Sequence, residues 1–173
     1  MKKLFMMMVA TMMAMTMNAQ GYVGGGIGFG TYDDGNHDVT SFKFLPEVGY
    51  SFNDEWSAGV VLGWSGINKG NPKTWTFNPY ARYTFVKGKM VSVFADASVG
   101  FNHTYNAGHD DDELQIGLKP GVAVSLGERL SFVTHFGFIG YDHLKNNTTK
   151  AKNDYWGVDV DGNNVTFGLY YSF

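Results

Sequence analysis

The strongest constraint on this chain is an alternation of apolar with small or polar side chains, which recurs in eight separate segments after residue 20. Successive side chains of a β-strand point to opposite faces, so each segment predicts a strand with one apolar face. No segment after residue 20 is apolar for long enough to cross a membrane as a helix. The predicted strands are Tyr22 to about Tyr32, Ser41 to Phe52, Trp56 to Ser65, Trp75 to Phe85, Val91 to Asn102, Leu114 to Leu126, Leu130 to Ile139 and Val165 to Phe173.

The connections between these strands alternate in length. Short turns at residues 53–55, 87–89 and 127–129 alternate with longer links at residues 33–38, 68–73, 103–113 and 142–164. An even number of antiparallel strands, with short turns at one end and long loops at the other, is typical of bacterial outer-membrane barrels. The last strand can pair with the first and close the sheet. We therefore predict an all-β fold, an eight-stranded antiparallel up-and-down transmembrane β-barrel.

The first 20 residues have the pattern of a signal peptide. Two lysines precede an apolar run over residues 4–17, and small and polar residues follow. About 14 apolar residues are too few for a helix that spans roughly 30 Å of hydrocarbon, which disfavours a membrane anchor. We predict cleavage near Ala19 or Gln20, so that residues 1–20 are the signal peptide and residues 21–173 form the barrel.

Two features of the composition narrow the class of protein further. The chain has no cysteine, so an exported fold of this kind is held together without disulfide bonds. It carries 16 acidic against 13 basic side chains, and most of the acidic ones lie in the long links. This balance argues against a nucleic-acid partner.

The volume of the side chains indicates which strand face lines the barrel. The apolar face carries nearly all of the phenylalanine and tryptophan, whereas the other face is mostly glycine, serine, alanine and threonine. The interior of an eight-stranded barrel is only wide enough for ordinary side chains, so the aromatic face is predicted to contact lipid. Two aromatic girdles follow. The girdle near the turns is predicted to hold Tyr50, Phe52, Trp56, Tyr83, Phe85, Phe132, Tyr171 and Phe173, and the girdle toward the loops Trp64, Trp75, Phe101 and Phe138.

A small set of ionisable residues has inward parity. Buried charges need partners, and two carboxylates in this set can be offset by basic groups on other strands. We predict that the set forms an ionic layer that plugs the lumen and has a structural role. The alternative is a narrow, gated ion path through the same layer. The residues are Lys43, Glu47, Arg82, Asp96, Lys119 and His135.

Three prolines recur at matching places in the strands that run back toward the short turns. They are Pro46, Pro79 and Pro120. Proline removes a hydrogen bond from the ladder and is rare inside a closed sheet. We therefore expect a β-bulge at each of the three positions, and regular pairing there would contradict this expectation.

Three motifs in the chain resemble those of the small OmpA/OmpX-type outer-membrane β-barrel domains. They are Pro46-Glu-Val-Gly-Tyr50, Pro79-Tyr-Ala-Arg-Tyr83 and the terminal Tyr171-Ser-Phe173, and the resemblance covers the whole chain from Gly21 to Phe173. It implies that Tyr171 and Phe173 belong to the signal read by the barrel-assembly machinery. Nothing after Phe173 resembles the peptidoglycan-binding domain of some members. The family is functionally broad, so the fold does not determine the function.

No catalytic, cofactor-binding or metal-binding residue is predicted. Some barrels of this size resemble lipid A deacylases that use a His-x-Ser arrangement, but no histidine here is followed two residues later by serine. The acidic stretches Asp110–Glu113 and Asp159–Asn163 could bind a divalent cation, yet neither has EF-hand spacing, and we interpret them as solvated loops. The histidines are His37, His103, His109, His135 and His143.

The sequence therefore predicts a monomeric outer-membrane barrel with a structural or surface-interaction role. A narrow channel is the second hypothesis, and a lipid-modifying enzyme is the third. The expected partners are outer-membrane lipid, the barrel-assembly machinery during biogenesis, and an extracellular ligand at the long loops, because loops on a rigid scaffold commonly carry specificity.

Overall fold

The chain is described by a computed structural model over residues 20–33, 38–67, 72–106, 109–146, 152–159 and 165–173. Within these ranges no helix is long and apolar enough to cross a membrane. The predicted signal peptide, apart from Gln20, lies outside the described residues. The strands are β1 Gln20–Asp33, β2 Asp38–Ser51, β3 Trp56–Ile67, β4 Lys73–Lys87, β5 Val91–Asn106, β6 His109–Ser125, β7 Leu130–Phe136, β8 Phe138–Asn146, β9 Lys152–Asp159 and β10 Val165–Ser172.

The strand segments form one closed antiparallel sheet. Segments β1 to β6 pair in chain order, and β10 returns to pair with β1. Segments β7 and β8 follow each other along one strand position, because β6 pairs with β7 toward the short turns and with β8 toward the loops. Segments β10 and β9 likewise share one strand position, because β10 pairs with β7 toward the short turns and β9 pairs with β8 toward the loops. The fold is thus the predicted closed, eight-stranded antiparallel barrel.

Two predicted links are shorter than expected because the strands extend beyond the apolar band. The long link expected at residues 103–113 is wrong, since the β5–β6 ladder continues as far as the pair Asn106 and His109. The link expected at residues 142–164 contains the end of β8 and all of β9. Both faces of the β5–β6 extension carry polar side chains, so the apolar alternation that marks the spanning part stops there before the hydrogen-bonded ladder does.

The aromatic face of the strands points outward, which confirms the predicted orientation. Trp75 is 62% exposed, Phe85 55% and Phe173 64%, so the large rings cover the outer surface rather than fill the lumen. Rings of neighbouring strands also contact one another. Trp56 and Tyr83 have centroids 4.9 Å apart near the short turns.

The predicted outward position of Phe138 is wrong, because the strand reverses its parity just before it. Leu118 and Gly121 on β6 are three residues apart in the sequence. Their partners, Ile139 on β8 and His135 on β7, are four residues apart, so one extra residue is inserted between β7 and β8. Gly137 adopts φ 69°, a conformation that favours glycine. As a result Phe138 is 9% exposed and lines the lumen, while Ile139 is 40% exposed on the outside.

The β-bulges expected at the prolines are wrong at two of the three sites. The register of β2 with β3 is unchanged across Pro46, and the register of β4 with β5 is unchanged across Pro79. At each of these two prolines, two successive residue pairs are missing from the ladder. The N–H group that proline lacks is therefore accommodated without an inserted residue. Near Pro120 there is an inserted residue, but it lies on the partner strand at Gly137.

Candidate functional site in the barrel lumen

Four of the six inward-facing ionisable residues meet at one height in the lumen. Each comes from a different strand: Glu47 from β2, Arg82 from β4, Asp96 from β5 and His135 from β7. The sheet register aligns two of them directly, because Arg82 faces Asp96 across the β4–β5 ladder. Glu47, Arg82 and Asp96 are 5%, 8% and 4% exposed, so their charges are held away from bulk water.

Arg82 and Asp96 form a bidentate ion pair. Arg82 Nε donates to Asp96 Oδ1 at 2.7 Å, and Nη2 donates to Oδ2 at 2.9 Å. His135 Nε2 lies 2.8 Å from Asp96 Oδ2, and its other ring nitrogen lies 3.5 Å from Thr166 Oγ1. A planar guanidinium matches a carboxylate in this geometry, which fixes both side chains across the bore.

Glu47 is held by tyrosine hydroxyl groups from two other strands. Tyr80 Oη donates to one carboxylate oxygen and Tyr170 Oη to the other. Arg82 Nη2 lies 3.6 Å from Glu47 Oε1, and Tyr22 Oη is hydrogen-bonded to Tyr80 Oη at 2.6 Å. Both oxygens of this buried carboxylate are therefore satisfied, as a charge in a low-dielectric lumen requires.

Aromatic rings fill the space around the guanidinium. Arg82 Cζ lies 4.0 Å from the centroid of the Phe94 ring and 5.2 Å from that of Tyr80, distances that permit cation–π attraction. Phe94 is 1% exposed and also packs edge-on against His135 with centroids 5.3 Å apart. We call this assembly the central layer. It consists of Glu47, Arg82, Asp96 and His135 together with Tyr22, Tyr80, Phe94 and Tyr170.

The aromatic members of the central layer were not predicted as site residues. The sequence does carry a signal for them, because each large ring has the same parity as the small side chains and faces a glycine on a neighbouring strand. A Cβ on Gly49 would lie 2.2 Å from Tyr22 Cζ, and one on Gly121 would lie 2.4 Å from Phe94 Cζ. Glycine at these places leaves the space that the ring occupies.

Two cavities lie on opposite sides of the central layer. The upper cavity, of about 420 Å³, extends toward the loop end, and the lower cavity, of about 170 Å³, lies toward the short turns. Lys43 and Lys119, the remaining two members of the predicted ionic set, line the upper cavity and are not among the ion-pair partners within the central layer. The Lys119 ammonium lies 5.8 Å from the Phe138 ring centroid.

Other ionisable clusters lie outside the membrane-spanning part of the barrel. On β8 and β9, the Asp154 carboxylate accepts hydrogen bonds from Tyr141 at 2.6 Å and from His143, and these bonds lower the pKa of Asp154. At the turn end, Lys87 lowers the pKa of Asp54 through a hydrogen bond. In the part of the chain that the structure describes, no three histidine or acidic side chains are arranged to hold a metal ion. Asp110–Glu113 lie in β6, and residues 160–163 fall outside the described ranges.

The final strand contacts the first at the turn end of the barrel. The Phe173 N–H donates to the Gly21 carbonyl at 3.0 Å, and the Tyr171 and Phe173 rings meet edge-on with centroids 5.7 Å apart. Arg129 lies beside this pair, with Nη1 3.4 Å from Tyr171 Oη. Both rings of the predicted assembly signal are exposed on the outer face.

Comparisons with known proteins give a consistent picture of the fold. A family model described as an outer membrane protein beta-barrel domain matches residues 4–173. The crystal structure of Neisserial surface protein A aligns with a TM-score of 0.50 and 16% sequence identity, over 90% of this chain and 96% of that one. OprG from Pseudomonas aeruginosa aligns with a TM-score of 0.49 and 14% identity, over 90% and 93%. The search of curated proteins found no match. At 16% identity the likeness to Neisserial surface protein A concerns the fold alone.

Proposed function

Because the chain belongs to the family of outer membrane protein beta-barrel domains, we propose that it is a closed, non-conducting barrel of the bacterial outer membrane with a structural and surface-interaction role. The central layer closes the bore, and the strand ends and loops on the far side carry the contacts with the exterior. One chain completes its own sheet, so we propose that the protein is a monomer. No catalytic residue is assigned in this proposal.

The observation that carries the proposal is the way the central layer is tied together. Its four ionisable side chains come from four strands, and every one of them is bonded to at least one other member. Opening a path would require Arg82 to leave both the Asp96 carboxylate and the Phe94 ring. Separating one partner of a buried ion pair costs about 3–5 kcal/mol, which favours a permanently closed state.

Recording in planar lipid bilayers tests whether the lumen conducts. We expect no conductance steps from the wild-type barrel. Arg129→Ala, at the short turn and outside the lumen, should be equally silent. Steps from the wild type would overturn the closed barrel, and a change of those steps in Arg82→Ala but not in Arg129→Ala would assign the path to the central layer and support the channel hypothesis.

The outer surface fits a lipid partner on its apolar band. A groove of about 760 Å³ lies on the outside of the barrel toward the loop end, lined by apolar side chains of β2 to β6 and by polar side chains near the loops. We propose that acyl chains of outer-membrane lipid fill it. The aromatic and aliphatic residues that line it are Phe44, Leu62, Trp64, Trp75, Phe77, Phe101 and Leu114.

We propose that residues 1–20 are a cleaved signal peptide and that Tyr171 and Phe173 are read by the barrel-assembly machinery. We also propose that the loop end, including the hairpin of β8 and β9, contacts an extracellular ligand. Replacing residues 147–151, which join β8 to β9 in the sequence, with a Gly-Ser linker and measuring adhesion of the bacterium to surfaces tests the last point, since a surface-interaction role predicts a loss.

A further inference from the structure

The upper cavity has the polar lining of a binding site rather than of a packed core. Two of its polar side chains are almost fully buried and have no hydrogen-bond partner among the described residues at one atom each, namely Asn78 Oδ1 and Ser98 Oγ. Asn78 is 8% exposed and Ser98 is 5% exposed. A buried polar atom without a partner costs about 1–3 kcal/mol, so a partner from within the cavity would remove a real penalty.

Charged groups in the upper cavity differ in how well they are satisfied. Each of the three carboxylates that line it has strong donors. Glu47 accepts from Tyr80 and Tyr170, Asp96 accepts from Arg82 and His135, and Glu113 accepts from Asn102 at 2.8 Å and Gln115 at 3.0 Å.

The two lysines of the cavity differ from the carboxylates in their bonding. Among the described residues, neither Lys43 nor Lys119 makes an ion pair within 4.0 Å. Lys119 faces Asp96 across the β5–β6 ladder, and its ammonium lies 5.8 Å from the Phe138 ring centroid. Asp96 and Glu113 attract it at longer range, and Lys43 repels it. The repulsion between these two like charges is unfavourable, and an anion between them would add a favourable interaction with each ammonium group.

We propose that the upper cavity is a binding site for a small anionic solute that carries a phosphate or carboxylate group and enters from the loop end. The ammonium groups of Lys43 and Lys119 donate to the anionic group. Ser98 Oγ donates a further hydrogen bond, and Asn78 Oδ1 accepts one from a hydroxyl group of the solute. The central layer forms the floor, and its repulsion of the anion is reduced because the Arg82 guanidinium is paired with Asp96 and lies 3.6 Å from Glu47.

This inference goes beyond the proposed closed barrel, which requires no solute above the central layer. The volume of about 420 Å³ also limits the size of the ligand to a small molecule. A polymer or a whole protein would be confined to the loops outside.

Calorimetric titration of the full, folded barrel in detergent tests the proposal. The probes are inorganic phosphate and acetate, each added at constant ionic strength to the wild type and to Lys119→Met, Lys43→Met and Lys89→Met. We expect saturable binding of at least one anion to the wild type, with the Kd at least tenfold higher in Lys119→Met and Lys43→Met. Lys89→Met, in an exposed turn, should bind as the wild type does, and the tighter of the two probes identifies the anionic group.

The result that would overturn the proposal is equally specific. Absence of saturable binding of both anions to the wild type would mean that water alone fills the cavity. Equal affinities of Lys119→Met and Lys89→Met would place any anion elsewhere on the barrel. Heat-dependent mobility in gels reports whether each variant has folded, and Lys43→Met, whose side chain lies nearer the loop end, serves as the test if Lys119→Met does not fold.

Discussion

Tyr22 reaches across the lumen because the strand beside it has no side chain at Gly49. The ring lies over that glycine and its hydroxyl group meets Tyr80. Tyr80 in turn lies over Gly59, where a Cβ would be 2.4 Å from the tyrosine oxygen. Glycines in this barrel thus decide which large side chains fit inside it, and they position the hydroxyl groups that satisfy Glu47.

Substituting one such glycine tests this complementarity. In Gly49→Ala the added methyl group would lie 2.2 Å from Tyr22 Cζ, so the ring must move and lose its bond to Tyr80. We expect the free energy of unfolding to fall by about 1–3 kcal/mol, as for other overpacked cores. The measurement is a urea titration in lipid vesicles followed by tryptophan fluorescence.

Gly66→Ala is the matched control on an adjacent strand. A Cβ there has its nearest atoms at 3.8 Å and 3.9 Å, which is ordinary contact. We expect a change in unfolding free energy within about 0.5 kcal/mol. If both glycine variants lost the same stability, the loss could not be assigned to the ring above Gly49, since replacing glycine by alanine restricts the unfolded chain and does not itself destabilise the fold.

At the scale of strands, the alternation of side chains predicted the spanning segments but not their ends. On β5 and β6 the polar extension is held by cross-strand pairs such as His103 with Asp112, whose side chains are 2.7 Å apart. Such pairs stabilise a ladder without any apolar face, so hydrophobic periodicity cannot detect them. The parity change at Gly137 was also beyond prediction, because a single glycine among alternating residues does not reveal that its φ is positive.

The hairpin of β8 and β9 gives a prediction on pH dependence at this scale. Hydrogen bonds from Tyr141 and His143 lower the pKa of Asp154 in the folded hairpin relative to the unfolded chain. The ionised carboxylate therefore stabilises the hairpin above the unfolded value, near 3.9, and this stabilisation is lost as the pH falls through the lower, folded value. Amide hydrogen exchange of β9 should accelerate as the pH is taken below about 4, relative to the exchange of the β3–β4 ladder.

Asp154→Asn supplies the comparison for this titration. The asparagine side chain does not ionise in this range, so exchange in β9 relative to β3–β4 should no longer depend on pH. A pH dependence that persisted in the variant would belong to other carboxylates of the barrel and would contradict the role given to Asp154.

At the scale of the whole molecule, most of the architecture follows from the sequence, whereas the interior follows only in part. The strand count, the outward aromatic face and the four-residue ionic cluster could be predicted, because the alternation of side chains and the lengths of the connections are read directly from the sequence. The height of Lys43, nearer the loop end than the other members, also follows from its distance to the nearest short turn, but the separation of Lys119 from the cluster does not, because it depends on where each strand lies in the staggered sheet. The tyrosine bonds to Glu47 likewise depend on register across several strands.

Closure of the whole barrel depends on the last strand, and two roles of that strand can be separated experimentally. The Phe173 ring is 64% exposed, while its backbone N–H is bonded to Gly21. Removal of the ring should therefore leave the closing ladder intact.

If the ring is read by the assembly machinery, Phe173→Ala should reduce the folded barrel recovered from the outer membrane several-fold, with little change in unfolding free energy after refolding from urea into detergent. Phe167→Ala removes a ring of similar exposure, 57%, from the middle of the same strand, and it should not reduce recovery. Equal recovery of the two variants would assign Phe173 to membrane anchoring alone, because both rings would then act only through their contact with lipid.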